Sequence, residues 1–302
     1  MTFDMFGWFR KHFLPEAATP SAVFDEYGDD VETKLGAADL FGSLKGQVAL
    51  ITGSTSGIGW AMAEALSCRG VKVVLNGLGD RAEIEANRRA LEVRTGAPVR
   101  YHDADMTDPK SIAAMVAFAH KEFGRLDILI NNAGVQHVEA VEDFPPDQWD
   151  RIIAINLTSV FHATRAAVPI MKAQKRGRIV NIASAHGLVA SPFKSAYVAA
   201  KHGVIGFTKT VGLEVATFGI TCNAICPGYV MTPIVKNQIA DQARTRGISE
   251  EEVVRTVMLA AQPTRQFVTF DQLTGLLLYL VSDAGASANA SSYSVDGGWT
   301  AQ

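Results

Sequence analysis

The chain has 302 residues, of which 48% are apolar and 20% are charged, and its formal net charge is −3. These values describe a globular protein with a large core, and they give no general attraction for nucleic acid or for an anionic membrane surface. Three cysteines without the spacing of a zinc site predict neither a metal centre nor a disulfide framework, and they suit a reducing compartment such as the cytoplasm.

Residues 1–43 differ in composition from the rest of the chain. They contain eight acidic and three basic side chains, and they open with the aromatic-rich stretch MTFDMFGWFRKHFL. Two interpretations fit this composition. One is a flexible extension, and the other is an aromatic arm that packs on its own or a neighbouring subunit or binds a partner.

From Lys45 onward, short apolar runs alternate with segments of helical periodicity. The runs predict seven strands, at residues 48–52, 72–76, 99–105, 126–133, 177–184, 221–228 and 292–298. The helical segments between them mostly end at glycine, a common helix terminator. Strands that alternate with helices predict one α/β domain over residues 44–302, with a parallel sheet covered on both faces. The stretch 229–270 breaks this rhythm and predicts a helical insertion over the carboxyl edge of the sheet.

A glycine-rich loop joins the first predicted strand to the first predicted helix. In this loop, GSTSGIG, Gly53, Gly57 and Gly59 allow a sharp turn and a close approach of the backbone to a ligand. A pyrophosphate placed there would meet the free amides of the helix N-terminus. The loop therefore predicts a dinucleotide site at the start of the domain.

The residues after the second strand favour NAD over NADP. NAD sites commonly place a carboxylate there for the ribose hydroxyls, and NADP sites place a basic side chain for the 2′-phosphate. Here VVLN is followed by Gly77 and Leu78, Arg81 lies slightly too far along, and the glycine-rich loop has no Lys or Arg. Asp105, which we expect to end the third strand, is a candidate acceptor for the adenine amino group.

Tyr197 and Lys201 lie four residues apart in SAYVAAK, which places them on one face of a helix. A single pair of this kind also fits an ordinary surface helix. The alternative is that the ammonium favours the phenolate and makes the tyrosine a better base.

Six motifs occur together in the order TGSTSGIG, NNAG, IAINL, IVNIAS, YVAAK and PGYVMTP. This set resembles the short-chain dehydrogenase/reductase family over residues 44–302. The resemblance implies a Rossmann-type, doubly wound, seven-stranded sheet, a homotetramer and nicotinamide chemistry at the carboxyl edge. It implies that the catalytic residues are Asn156, Ser184, Tyr197 and Lys201.

In this resemblance, Tyr197 is the general base and Ser184 binds the substrate oxygen. Lys201 and the oxidised nicotinamide together lower the pKa of Tyr197, and Lys201 also binds the nicotinamide ribose. Asn156, in a long helix, holds a water that links Lys201 to solvent. The implied NAD-binding residues are Gly53, Thr55, Gly57, Ile58, Gly59, Asp105, Asn132, Ala133, Gly134, Tyr197, Lys201, Pro227, Gly228, Val230 and Thr232.

Further stretches are similar to the D-3-hydroxybutyrate dehydrogenase branch of that family, namely GVQHVEAVEDFP, SAHGLVASPFK, PIVKNQI, AAQPTRQFV and VDGGWTAQ. The similarity implies reversible, NAD-dependent oxidation of 3-hydroxybutyrate, a small 3-hydroxy acid, to acetoacetate. The implied substrate-binding residues are Gln136, Ser184, His186, Lys194, Tyr197, Gln238 and Trp299. The chain departs from the family in lacking the usual glycine just before the last strand, so the geometry of that turn is open.

Two further functions remain as alternatives. An NADPH-dependent 3-oxoacyl-carrier-protein reductase, or another short-chain alcohol dehydrogenase, shares the catalytic residues. The reductase would need basic residues to bind the 2′-phosphate and an arginine-rich patch to bind the acidic carrier protein. Neither feature is apparent in the sequence. A non-catalytic cofactor sensor, in which residues 1–14 dock a partner, does not need the intact Tyr197–Lys201 pair.

Overall fold

The structure is a computed structural model, and it describes residues 44–301. The N-terminal extension predicted for residues 1–43 lies outside the described residues. The described residues belong to one structural unit. Within this part of the chain, no helix combines the length and the apolar character needed to cross a membrane.

The seven predicted strands form one parallel sheet in the order β3-β2-β1-β4-β5-β6-β7. They are β1 (Val48–Ile51), β2 (Lys72–Asn76), β3 (Val99–His102), β4 (Ile128–Asn131), β5 (Gly177–Ile182), β6 (Ile220–Pro227) and β7 (Ser292–Val295). The strand order reverses between β1 and β4, which is where doubly wound sheets open a crevice at their carboxyl ends. The prediction of a Rossmann-type, seven-stranded parallel sheet is confirmed.

Ten α-helices are assigned within residues 44–301. They are α1 (Gly57–Ser67), α2 (Arg81–Thr95), α3 (Pro109–Phe123), α4 (Pro146–Ile153), α5 (Ser159–Gln174), α6 (Ser195–Val215), α7 (Pro233–Arg246), α8 (Glu250–Glu252), α9 (Leu259–Ala261) and α10 (Phe270–Val281). Two π-helical turns, Ala154–Thr158 and Val253–Met258, join α4 to α5 and α8 to α9.

Both faces of the sheet are covered, because the side chains of each strand alternate between two apolar clusters. In β1, Ala49 and Ile51 belong to the cluster that includes residues of α1 and α10. Val48 and Leu50 belong to the other cluster, which includes residues of α3, α5 and α6. All four side chains are fully buried, as expected for the centre of a parallel sheet.

Several strands end earlier than the apolar pattern predicts, and at β3 and β4 side-chain hydrogen bonds turn the chain. β3 ends at His102, and Asp105 lies in the turn that follows, where Thr107 donates to its carboxylate from both its amide and its hydroxyl. β4 ends at Asn131, because Asn132 turns its amide toward the carbonyls of Thr52 and Gly53. The prediction that Asp105 ends the third strand is therefore wrong by three residues.

Two other local features differ from the sequence pattern. The single long helix predicted around Asn156 is two helices joined by a π-helical turn, and Asn156 lies in that turn. The turn before β7 adopts the left-handed conformation at Ala290, with φ of 54°, although no glycine is present. For a residue with a Cβ atom this conformation costs about 1–2 kcal/mol.

The insertion predicted after β6 consists of α7, α8 and α9. Its apolar side chains form a cluster with Tyr229, which follows β6, and Trp299, which follows β7. Both aromatic residues follow the carboxyl ends of strands, so this cluster attaches the insertion to the edge of the sheet where the predicted site residues lie.

Candidate active site

A cleft of about 410 Å³ at the carboxyl edge of the sheet is lined by all but two of the predicted site residues. The exceptions are Gly59 and Asn156, which lie behind its wall. Residues from the loops after β1, β4, β5 and β6 meet in this cleft with residues of α6, α7 and the C-terminal turn. Segments far apart in sequence thus converge on one site.

At one end of the cleft, the glycine-rich loop presents backbone amides. Gly53 and Gly57 have φ values of 59° and 58°, a conformation that side chains rarely adopt. The N-cap of α1, Ser56, makes no side-chain capping bond, so the first amides of the helix remain available for a ligand. A Cβ atom at Gly59 would lie 2.5 Å from the Asn132 side chain, so this glycine allows close packing of loop and helix. The donor set fits a pyrophosphate.

Next to this loop, the end of β2 offers no side chain for a 2′-phosphate. Asn76 is buried, and its amide binds the Gly53 amide and the carbonyls of His102 and Ala104. Arg81 forms an exposed ion pair with Asp103 at 3.1 Å. Within residues 44–301, the basic residues that line the cleft are Arg151, Lys194 and Lys201.

Arg151 was missed by sequence reasoning, because a single arginine on an amphipathic helix carries no distinctive signal. It lines the cleft near Asp105, where hydrogen bonds from Thr107 lower the pKa of the carboxyl and the charge of Arg151 contributes. Asp105 is therefore ionised at neutral pH and is a hydrogen-bond acceptor in the cleft.

Tyr197, Ser184 and Lys201 meet at the centre of the cleft. The Lys201 ammonium lies 5.5 Å from the centre of the Tyr197 ring and donates to the Ile182 carbonyl at 2.7 Å. Burial raises the pKa of Tyr197, and a hydrogen bond with Ser184 opposes this rise. Burial also lowers the pKa of Lys201 to about 8. The prediction that Lys201 and the oxidised nicotinamide together lower the pKa of Tyr197 concerns the cofactor-bound protein and stays a prediction.

Asn156 does not line the cleft, but its side chain binds the loop that follows β4. It is fully buried, and its amide both accepts from the Val135 amide and donates to the Val135 carbonyl, each at 2.9 Å. The π-helical turn thereby fixes the loop after β4. The predicted role of Asn156 in holding a water that links Lys201 to solvent stays a prediction.

A second buried cation, Lys194, lines the same cleft as Tyr197 and Lys201. Lys194 is 3% exposed. Its ammonium donates to the Tyr229 hydroxyl and to the side-chain amide oxygen of Gln238, each at 3.3 Å. Both partners are neutral, and no carboxylate among residues 44–301 pairs with it. Burial and the charge of Arg246 lower its pKa to about 8, so the ammonium is still largely protonated at pH 7.

Two polar side chains that line the same cleft, Gln136 and His186, have unused hydrogen-bonding atoms. Both amide atoms of Gln136, and Nε2 of His186, are buried without a partner in the described part of the chain. Burial and the nearby charge of Lys194 lower the pKa of His186 to about 3, so its imidazole is neutral. Buried polar atoms without partners are costly, so these atoms are available to hydrogen-bond a polar ligand in the cleft.

An aromatic wall closes this end of the cleft. Tyr229 and Trp299 stack with ring centres 5.2 Å apart, and His186 lies edge-on to Trp299 at 4.8 Å. Trp299 was predicted, whereas Tyr229 was not singled out, although it is part of the motif PGYVMTP. The wall and Lys194 together form a small apolar compartment with a cation at one side.

Comparisons with known proteins agree with this architecture. The family described as short chain dehydrogenase matches residues 47–243. A D-beta-hydroxybutyrate dehydrogenase of Rhizobium meliloti (strain 1021) is 58% identical over 256 residues, covering 85% of this chain and 99% of that protein. A D-beta-hydroxybutyrate dehydrogenase of Cupriavidus necator is 51% identical, covering 86% and 100%. The crystal structure of a variant of actinorhodin polyketide ketoreductase with NADPH has a TM-score of 0.80 at 33% identity, covering 85% and 98%.

Proposed function

The chain belongs to the short-chain dehydrogenase family, and from this premise we propose that it oxidises D-3-hydroxybutyrate to acetoacetate, reversibly, with NAD as its cofactor. The observation that carries the proposal is Lys194, a buried ammonium with only neutral partners in the described residues. A buried cation is stable when an anion pairs with it. The substrate carboxylate would be that anion.

The unused atoms in the same cleft as Lys194 suit an anion that also accepts hydrogen bonds, as a carboxylate does. Gln136 and neutral His186 each supply a hydrogen-bond donor, and Lys194 supplies the charge. Tyr197 and Ser184 lie in the same cleft, where they would meet an alcohol two carbons away from that carboxylate. The aromatic wall of Tyr229 and Trp299 limits the length of the acid.

In the proposed oxidation, Tyr197 takes the proton of the substrate hydroxyl, and Ser184 hydrogen-bonds the same oxygen and stabilises its developing charge. Lys201 keeps a positive charge beside the phenol. The nicotinamide cofactor, when bound, accepts the hydride and in its oxidised form adds a second positive charge. Because burial raises the pKa of Tyr197, both charges are needed to make its phenolate accessible near neutral pH.

A substrate comparison tests the proposal. Initial rates should be measured with D-3-hydroxybutyrate, its methyl ester and a 3-hydroxybutyryl thioester, each with NAD and with NADP. We expect the free acid to have the highest kcat/KM, because it alone brings an anion to Lys194. A thioester that outperforms the acid would favour the carrier-protein reductase.

We expect kcat/KM with NAD to exceed that with NADP by at least about tenfold, equivalent to about 1.4 kcal/mol. The reason is that Asn76 is fully engaged and that Arg81 is already paired with Asp103. Kinetics with both cofactors, together with the Kd of each reduced cofactor by fluorescence, measure the difference. Equal use of the two would mean that a basic residue reaches the 2′-phosphate.

We also propose that the protein is a homotetramer. Phe161 on α5 and Leu213 on α6 are 44% and 74% exposed, and burying such apolar side chains against a second copy is favourable. Sedimentation equilibrium should give four times the chain mass, and changing both residues to glutamate should give smaller species. A monomeric parent protein would refute this assembly.

The cytoplasm is the proposed location. Cys68, Cys222 and Cys226 are free thiols, and burial raises the pKa of Cys222 and of Cys226 to about 12. Neutral, buried thiols are inert, and unpaired cysteines are usual in a reducing compartment. Fractionation of cells that express the chain tests this proposal.

A further inference from the structure

Helix α7 presents three polar side chains toward the carboxylate site, and two of them belong to no motif in the sequence. Gln238, Gln242 and Arg246 are spaced by four residues, which places them along one face of the helix. Gln238 contacts Lys194, as described above. Gln242 is 2% exposed, whereas Arg246, at the last position of the helix, is exposed.

Two hydrogen bonds link these side chains to their neighbours, one between Arg246 and Gln242 and one between Tyr229 and Lys194. Arg246 Nε donates to the side-chain oxygen Oε1 of Gln242 at 3.1 Å, and this bond fixes the orientation of the Gln242 side-chain amide. The NH₂ group of Gln242 is then directed to the other side, where it is buried without a hydrogen-bond partner among the described residues. It lies near the Tyr229 hydroxyl and opposes the rise of the Tyr229 pKa that burial causes. The Tyr229 hydroxyl in turn accepts from Lys194.

Arg246 makes a second contact, with the loop that carries Lys194. Its guanidinium lies 5.7 Å from the centre of the Phe193 ring. Phe193 has φ of 66°, an unfavourable conformation for an aromatic residue, and its carbonyl accepts from the Glu139 amide at 3.0 Å. This backbone conformation leads directly into buried Lys194. A strained position persists only where its surroundings hold it, and Arg246 is one of those restraints.

We propose that Arg246 is a positioning residue of the carboxylate site, which holds helix α7 and the Phe193 loop together around Lys194 and adds a second positive charge for the substrate anion. This inference rests on the proposed function and extends it to residues outside the family motifs. Two effects follow from the geometry. Arg246 fixes the amide of Gln242, which lies near Tyr229, the partner of Lys194, and its charge acts on an anion bound there.

The test compares Arg246→Met, which removes the charge but keeps a long apolar side chain, with Arg246→Lys, which keeps the charge. Arg244→Met is the matched control, because Arg244 lies in the same last turn of α7 but pairs with Asp241 at the surface. We expect Arg246→Met to raise KM for D-3-hydroxybutyrate by about three- to tenfold, the size expected of a partly exposed charge. We expect little change in kcat or in the Kd for NAD, partial recovery in Arg246→Lys, and no change in Arg244→Met.

A neutral substrate separates positioning of the anion from a general loss of structure. For the methyl ester of 3-hydroxybutyrate, kcat/KM should be the same in Arg246→Met and in the parent. An equal loss with acid and ester, or an unchanged KM for the acid, would overturn the proposal.

A binding experiment distinguishes failure of this inference from failure of the proposed function. Butyrate carries the carboxylate but has no alcohol to oxidise, so its Kd by calorimetry does not depend on turnover. If the parent binds butyrate and Arg246→Met binds it several-fold more weakly, Arg246 serves an anion site even if D-3-hydroxybutyrate is not the substrate. Equal binding by the two proteins would refute the role of Arg246, whatever the substrate.

Discussion

The Tyr197→Phe variant is expected to lose about 100- to 10,000-fold in kcat, the usual contribution of a general acid–base group, while its Kd for NAD changes little. The substitution removes only the hydroxyl that takes the substrate proton. The ring keeps its contacts with His186 and with the Lys201 ammonium, so the shape of the cleft is preserved. Steady-state rates and calorimetric titration of NAD measure the two quantities.

Tyr229→Phe is the matched control, because it removes a second phenol from the same cleft. The pKa of Tyr229 is raised to about 12 by burial, and its hydroxyl binds Lys194. Its loss should therefore act mainly on KM for the acid. If Tyr197→Phe retained a near-normal kcat, or if both variants lost kcat equally, Tyr197 would not be the base.

The sheet and most of the site were predictable because their signals are local. A fully apolar run such as β1 indicates a central parallel strand. Glycines at positions 53 and 57 indicate the left-handed backbone conformation that a phosphate loop requires. The helical spacing of Tyr197 and Lys201 specifies that they share a face, and the structure places both in the cleft. The resemblance to a family then identified which dispersed residues converge there.

What sequence reasoning missed depends on contacts between distant segments. Burial raises the pKa of Tyr197, and burial depends on the packing of distant segments, which the spacing of Tyr197 and Lys201 does not reveal. Gln242 and Arg246 acquire a role only because α7 packs over the loop that ends at Lys194. In the sequence alone, both resemble ordinary residues of a solvated helix face.

Lys194→Met is expected to weaken kcat/KM for D-3-hydroxybutyrate by about 2–5 kcal/mol, the cost of removing one partner from a buried, hydrogen-bonded charge pair. The substitution leaves the substrate carboxylate beside Gln136 and neutral His186, which donate hydrogen bonds but carry no charge. KM should rise strongly, and kcat should fall as well if the carboxylate also orients the alcohol toward Tyr197. The Kd for NAD should not change.

The dependence on pH provides an independent readout of the same residue. The pKa of Lys194 in the free protein is lowered to about 8, so kcat/KM for the acid should decline as the pH rises above that value and the ammonium is lost. Lys201 has a similar pKa, and its deprotonation affects acid and ester alike. The ratio of kcat/KM for acid over methyl ester therefore isolates Lys194. This ratio should fall above about pH 8 in the parent and should be low and independent of pH in Lys194→Met. If the ratio in the parent stayed constant from pH 6 to 10, the ammonium of Lys194 would not be the group that binds the carboxylate.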